Sequence, residues 1–191
     1  GIQDLVNSIS LNHGYQSQYI IAGYNSTASY AEQDGMPYER DSNGNFIPKE
    51  QYGQVSTIDR FLPLIGIDIR FQNNLSINSE YRRSRDLNLS LQNSQLAMMT
   101  DESIIFGLGY RKNNAKLPFN LFADRKWQND FNLRVDFALN DRKTTVFRSD
   151  VNQVEVSAGN KSITINPSLD YTINQFYNIR LFYNSNAVRP Y

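Results

Sequence analysis

A period-two alternation of apolar and polar residues is the feature that most limits how this chain can fold. In the run 65–71, isoleucine or phenylalanine occupies every odd position, and a glycine, an aspartate and an arginine occupy the even ones. Successive side chains of a strand point to opposite faces, so the run predicts a strand with one apolar and one polar face. The pattern returns at 75–82 after a short gap, which predicts a hairpin, and it returns again at 104–111.

Repeated along the chain, this alternation predicts seven strands. Their expected limits are about 4–25, 57–71, 75–91, 95–111, 129–148, 152–173 and 176–188. Pro63 has no N–H to donate to a ladder, so we expect a bulge or a free edge there. A long polar loop is expected over 29–56, with a small hairpin at Asn43-Gly44, and a longer link is expected over 112–130.

The composition excludes several classes of protein. Nineteen basic residues balance nineteen acidic ones, so there is no charge surplus for nucleic acid. The absence of cysteine excludes disulfide frameworks and zinc–thiolate sites. No apolar run reaches the ~18 residues of a transmembrane helix. A mean hydropathy of −0.55 does not exclude a membrane barrel, because half the positions of a barrel strand face a polar interior. The 23 asparagines suit turns and a polar lumen.

Charges on one face and apolar rows ending in aromatics on the other predict the wall of a transmembrane β-barrel in a bacterial outer membrane, formed by residues 1–191 as one unit. The residues expected to face the lumen are Asp68, Arg70, Glu80, Arg82, Arg111, Arg134, Asp136, Asp170 and Arg180. The residues expected to face lipid or its aromatic girdles are Ile65, Ile67, Ile69, Phe71, Tyr81, Phe106, Leu108, Tyr110, Phe131, Val135, Phe137, Tyr171, Tyr177, Ile179 and Leu181.

Two arginines, Arg83 and Arg85, fall on the apolar side of the third strand. At the midplane of a bilayer each would cost about 2–4 kcal/mol. The position of the arginines along the strand removes this cost, because Tyr81 already lies roughly 20 Å along the strand from Leu75. Tyr81 would then lie in a girdle and the arginines in the headgroup layer. A register-shifting bulge near Ser84 is the alternative.

An odd number of strands cannot close an antiparallel barrel, and bacterial single-chain barrels have even strand numbers from about 8 upward. We therefore expect an arc of a larger barrel that lacks at least one closing strand. Short turns at 72–74 and 174–176 would be periplasmic, and the loop 29–56 would be extracellular.

Nothing in the sequence indicates an enzyme. His13 is the only histidine, which provides neither a metal cluster nor a serine triad. We expect no cofactor and no catalytic residue. Two other interpretations stay open: an ordinary porin or outer-membrane transporter, and a surface β-sandwich that binds glycan or protein.

Several stretches resemble the C-terminal part of the SprA (Sov) family, the outer-membrane translocon of the type 9 secretion system. They are 61–68, Glu80-Tyr81-Arg82-Arg83-Ser84-Arg85 with 87–91, then 107–111 and 116–119. The segment 11–17 is also similar to the family's Ser-His-Ala-Tyr-Arg-Ser segment, with Gly14 and Gln16 as departures. The resemblance extends over about 5–180 in the order found in the family.

This resemblance implies a very large single-chain barrel whose pore passes folded proteins bearing a C-terminal secretion domain. It also implies a set of partners. They are the rest of the same barrel, a PorV-like shuttle barrel that closes a lateral opening, a periplasmic plug protein, the secreted cargo and outer-membrane lipid. Nucleic acid is not among them. The family's activity depends on pore geometry, so it assigns no single residue here.

Overall fold

The chain is an all-β protein. The computed structural model describes residues 5–113, 130–173 and 176–191, and within these ranges it contains strands and no helix. No helix long and apolar enough to cross a membrane is therefore present in the described residues. The predicted link 112–130, apart from its two ends, and the turn at Asn174-Gln175 lie outside the described residues.

Nine strands build one large antiparallel sheet. They are β1 (Val6–Asn12), β2 (Tyr15–Ala22), β7 (Gln54–Phe71), β8 (Leu75–Ser90), β9 (Gln95–Lys112), β10 (Asp130–Arg148), β11 (Gln153–Thr172), β12 (Asn178–Phe182) and β13 (Ser185–Pro190). Four two-residue strands between β2 and β7 form two small pairs. They are β3 (Asn25–Ser26) with β6 (Glu50–Gln51), and β4 (Glu32–Gln33) with β5 (Met36–Pro37).

The nine strands occupy seven positions across the sheet. β1 and β2 follow one another along one edge of β7, and β12 and β13 do the same along β11. Between them the order is β7-β8-β9-β10-β11, with each strand beside its neighbour in sequence. The seven segments predicted from the alternation are therefore confirmed, with the second beginning at Gln54 rather than near residue 57.

The sheet is open in the described residues, because its first and last positions do not pair with each other. All neighbouring strands are antiparallel, so the first and the seventh positions run in the same direction. A direct pairing of the two edges would be parallel. An antiparallel closure of this sheet therefore needs an odd number of further strands.

The bulge predicted at Pro63 is confirmed. Phe61 pairs with Arg83 and Ile65 pairs with Tyr81, so β7 has two more residues than β8 between these pairs. Since side chains alternate with a period of two, a two-residue insertion leaves Phe61 and Ile65 on the same face. The pairing of β8 with β9 runs unbroken from Leu75 to Ser90, so the alternative bulge near Ser84 is wrong.

The first predicted strand is split where it meets this bulge. Gly14 N–H donates to the Pro63 carbonyl at 2.9 Å, and the Leu62 N–H donates to the Gly14 carbonyl at 3.0 Å. A Cβ on residue 14 would lie 2.9 Å from the Leu62 carbonyl oxygen, so this close approach of two backbones requires glycine.

The last predicted strand is also split, and Pro167 is the reason. Tyr183 N–H donates to the Pro167 carbonyl at 3.0 Å, but Pro167 has no N–H to return. The ladder resumes in the same register when Ser185 pairs with Ile165. The residues on either side of the break therefore point to the same faces as they would in an unbroken strand.

Polar turn residues connect the long strands at both ends. In the turn 72–74, Asn74 has a positive φ of 62° and the Asn73 Oδ1 accepts the Leu75 N–H at 3.1 Å. The turn 149–152 likewise places Asn152 at a φ of 50°. Asparagine tolerates this left-handed conformation better than most residues, which explains part of its abundance. The predicted hairpin at Asn43-Gly44 is present as a turn closed by a bridge between Arg40 and Phe46.

Candidate functional site: the two faces of the sheet

One face of the sheet carries an apolar band that crosses all seven positions, and we call it the apolar face. The strand registers place its side chains in rows. One row is Ile9, Ile69, Ile77, Leu108, Val135 and Pro167. The next is Leu11, Ile67, Ser79, Phe106, Phe137, Ile165 and Ser185. Rows above and below continue it through Ile65, Tyr81, Ile104, Leu139 and Ile163, and through Leu75, Tyr110, Leu133, Leu169 and Leu181.

The lower limit of the band runs obliquely to the strands. β9 ends its apolar run at Tyr110, and Lys112 follows on the same face. Lys112 pairs with Phe131, and the same row continues to Tyr171 and Ile179. The band therefore reaches one row further down on β10, β11 and β12 than on β9. Strands that cross the apolar band at an oblique angle produce this kind of offset.

No second layer covers the apolar face in the described residues. Tyr171, at 8% exposure, is the one buried hydrophobic residue there. Residues in the middle of the band stay open, for example Ile65 at 53% and Phe106 at 40%. A sheet with one apolar face needs that face buried against something else to be stable. The missing layer must therefore come from outside the described residues.

The opposite face, which we call the polar face, carries all nine residues predicted for the lumen. Seven of the nine form short-range ion pairs. Arg82 Nη2 lies 2.6 Å from Glu80 Oε2, Arg134 Nε lies 2.8 Å from Asp136 Oδ2, and Arg180 Nε lies 3.4 Å from Asp170 Oδ1. Arg111 pairs with Asp130 at 3.3 Å, and Asp68 accepts the Asn12 amide at 2.9 Å. Since these groups are exposed, each pair adds at most about 1 kcal/mol to stability.

The residues predicted for the lipid side lie on the apolar face wherever they belong to a strand. Tyr177 comes just before β12, and its carbonyl accepts the Ile173 N–H at 2.9 Å. The register thus brings each predicted set together on its own side of the sheet.

Phe182 is a feature of the polar face that the sequence analysis did not identify. It pairs with Ser168 and is 76% exposed, beside Arg134 and Asn166. It is the one aromatic side chain that the described strands of the large sheet place on this face. The sequence does indicate this placement, because Phe182 is two residues from Arg180 and so points to the same face. The neighbouring Tyr183, which fits the apolar row, obscured it.

The loop 23–53 holds its own small network of hydrogen bonds. Asp41 Oδ1 accepts the backbone N–H groups of Asn45 and Asn43, each at 2.9 Å, and these bonds lower the pKa of Asp41. The guanidinium of Arg40 stacks over Phe46, with its central carbon 3.8 Å from the ring centroid. The loop therefore has a defined turn held by one carboxylate and one cation–π contact.

Potential metal ligands do not converge in the described part of the chain. His13 is exposed there, and its Nδ1 lies 2.6 Å from the Leu64 carbonyl oxygen at the bulge. No group of three or more potential metal ligands converges among residues 5–113, 130–173 and 176–191. Glu80 is engaged with Arg82 rather than with another carboxylate.

Comparisons with known proteins give no family assignment. No protein-family model matches the chain, and no curated protein matches it.

Proposed function

We propose that this chain is part of the wall of an outer-membrane β-barrel, with the apolar face against lipid and the polar face against a water-filled pore. The observation that supports this most strongly is the apolar band, which is continuous across seven sheet positions and has no protein layer over it in the described residues. Lipid supplies the missing layer without any further protein contact. A water-soluble sandwich would instead require a second sheet of similar area.

The height of the band agrees with a bilayer. From Phe131 to Leu139 the band spans eight residue steps along β10, which is about 26 Å along the strand at ~3.3 Å per residue. A strand tilt of roughly 40° reduces this to about 20 Å, close to the ~25 Å apolar band of outer-membrane barrels. The oblique lower limit at Lys112 and Phe131 has the offset expected for tilted strands.

The polar face suits a hydrated pore that does not retain what passes through it. Positive and negative side chains alternate at short range, and most carboxylates are already paired with an arginine or an asparagine. Apart from Phe182, the described strands of the sheet present no aromatic side chain to this side. A surface of this kind is wet, close to neutral in charge and poor in apolar anchors, so folded proteins have little to bind.

The open edges favour a barrel larger than this chain. The two edges run in the same direction, so antiparallel closure requires further strands, and an exposed edge is a template for pairing. Together with the resemblance of 61–68, 80–91 and 107–111 to the SprA family, this leads to the narrower proposal. The chain is an arc of the protein-conducting channel of a type 9 secretion system. Its partners would be those that the resemblance implies.

An ordinary porin shares the wall physics and differs in barrel size. The experiment that separates the two is the mass of the intact polypeptide that carries this segment, obtained from outer membranes by denaturing gel and peptide mapping. The translocon proposal expects a product many times larger than 22.0 kDa, with these peptides near its C-terminus. A product of about that mass in outer membranes would contradict the translocon and favour a small barrel.

A further inference from the structure

Two rows of mostly charged residues lie directly above the apolar band on the apolar face, and we call them the charged belt. The first row is Phe61, Arg83, Glu102, Asp141, Lys161 and Arg189. The second is Asp59, Arg85, Thr100 and Lys143, and it ends at Tyr191, whose N–H donates to Gly159, the residue paired with Lys143. Six neighbouring sheet positions thus place a charge on the apolar face immediately past the band.

The belt has more positive than negative charge. Its three carboxylates are each paired, because Asp59 lies 3.0 Å from Arg85, Glu102 lies 3.4 Å from Arg83, and Asp141 lies 2.9 Å from Lys161. Two cations remain, Lys143 and Arg189. Neither forms an ion pair with another described residue. The belt therefore presents two uncompensated positive charges to whatever lies beside the apolar face.

Two lysines of the belt lie beside the ring of Tyr191. The Nζ of Lys161 lies 5.2 Å from the ring centroid and the Nζ of Lys143 lies 5.7 Å from it. Arg189 pairs across the ladder with Lys161, and the Tyr191 hydroxyl donates to Asp141. Two ammonium groups thus lie beside a ring whose exposed fraction is 55%. Arg189 adds a third cation in the neighbouring strand position, directly across the ladder from Lys161.

We propose that the charged belt binds phosphate-bearing lipid headgroups, and that Lys143, Lys161 and Arg189 form its principal site. The proposal rests on the proposed membrane wall, which sets the belt at the level of the headgroups. Charge complementarity selects anionic lipid over zwitterionic lipid, since the two surplus cations attract a phosphate that no headgroup cation neutralises. A tyrosine at this level is also what a membrane interface favours, because its ring is apolar and its hydroxyl is polar.

The test uses the full polypeptide that carries this segment, placed in vesicles of phosphatidylcholine with one tenth phosphatidylglycerol. Native mass spectrometry of the released protein measures the ratio of the two lipids that stay bound. The variant K143Q/R189Q removes the two surplus cations. The matched control R60Q/R142Q removes two cations from the polar face, in a row between the two rows of the belt.

The proposal expects the preference for phosphatidylglycerol to fall about fivefold for each belt cation removed, with the control unchanged. Equal losses in both variants, or no loss in K143Q/R189Q, would overturn it. Inorganic phosphate, added at the same molar concentration as the lipid headgroups, should leave the lipid bound. Complete displacement would identify a site for soluble anions instead. Flotation with vesicles of pure phosphatidylcholine tests the proposed membrane wall separately. A protein that inserts into these vesicles but shows no preference for phosphatidylglycerol would refute the headgroup site and not the membrane wall.

Discussion

The cost of an arginine on the apolar face should depend on its height along the strand. β10 offers the cleanest series, because Leu133, Val135, Phe137 and Leu139 succeed one another on that face and β10 is paired on both sides. Val135 is at the middle of the band, in the row of Ile77, Leu108 and Pro167. An arginine at the midplane of a barrel costs about 2–4 kcal/mol and one near the interface about 0–1 kcal/mol.

We therefore expect Val135→Arg to lower the folded-to-unfolded ratio roughly 30-fold to 700-fold, and Leu139→Arg to change it much less, since Leu139 adjoins the charged belt at Asp141. The assay is a denaturant titration of the polypeptide in phosphatidylcholine vesicles, read by protease protection. Ala138→Arg is the matched control, because Ala138 lies between the two test positions in sequence but on the polar face. A cost independent of height, or equal for Val135 and Ala138, would refute the assignment of this face to lipid.

Three further predictions concern the pore, the loop and the packing of β11. Replacing three polar-face arginines with leucine should lower secretion of folded cargo at normal protein levels, because it adds apolar anchors to the pore; unchanged secretion would count against the pore proposal. The arginines are Arg82, Arg134 and Arg180. Hydrogen bonds lower the pKa of Asp41 in the folded loop. The stabilisation of the turn by this carboxylate is therefore complete at pH values above the unfolded-state pKa, and it is lost as the pH falls through the folded-state pKa. Amide exchange at Asn45 should follow that titration in the native chain and lose it in Asp41→Asn. Gly159→Ala should cost about 1–3 kcal/mol, because its Cβ would lie 2.6 Å from the Arg142 backbone carbonyl oxygen. Gly109→Ala meets only the Ser76 hydroxyl, which can rotate away, so equal unfolding midpoints for the two variants would contradict this reasoning.

The alternation of single residues was sufficient to predict the seven segments, the two faces and the bulge at Pro63. This succeeded because side-chain direction in a strand depends only on parity, and the two-residue bulge at 62–64 preserves parity. The apolar band and the polar face could therefore be assigned from the chain alone, strand by strand.

The charged belt could not be predicted in the same way. Arg83 and Arg85 were identified as exceptions on one strand, but their partners Glu102 and Asp59 lie on two different neighbours. Which residues share a row depends on the register between strands. Parity does not fix that register, because sliding one strand by any even number of residues leaves every side chain on the same face. The splits at Gly14 and Pro167 were missed for a related reason, since each depends on a contact with the adjacent strand.

The most direct test of the membrane wall is a cysteine scan of residues 131–139. These 191 residues contain no cysteine, and any cysteine elsewhere in the polypeptide is first replaced by serine. Each single-cysteine variant, in native outer membranes, is treated with a water-soluble maleimide and with a lipid-soluble one. The proposal expects even positions such as Arg134 and Asp136 to react with the water-soluble reagent, and odd positions such as Val135 and Phe137 to react only with the lipid-soluble one. Reaction of the odd positions with the water-soluble reagent, or protection of them from both, would contradict a lipid-facing sheet.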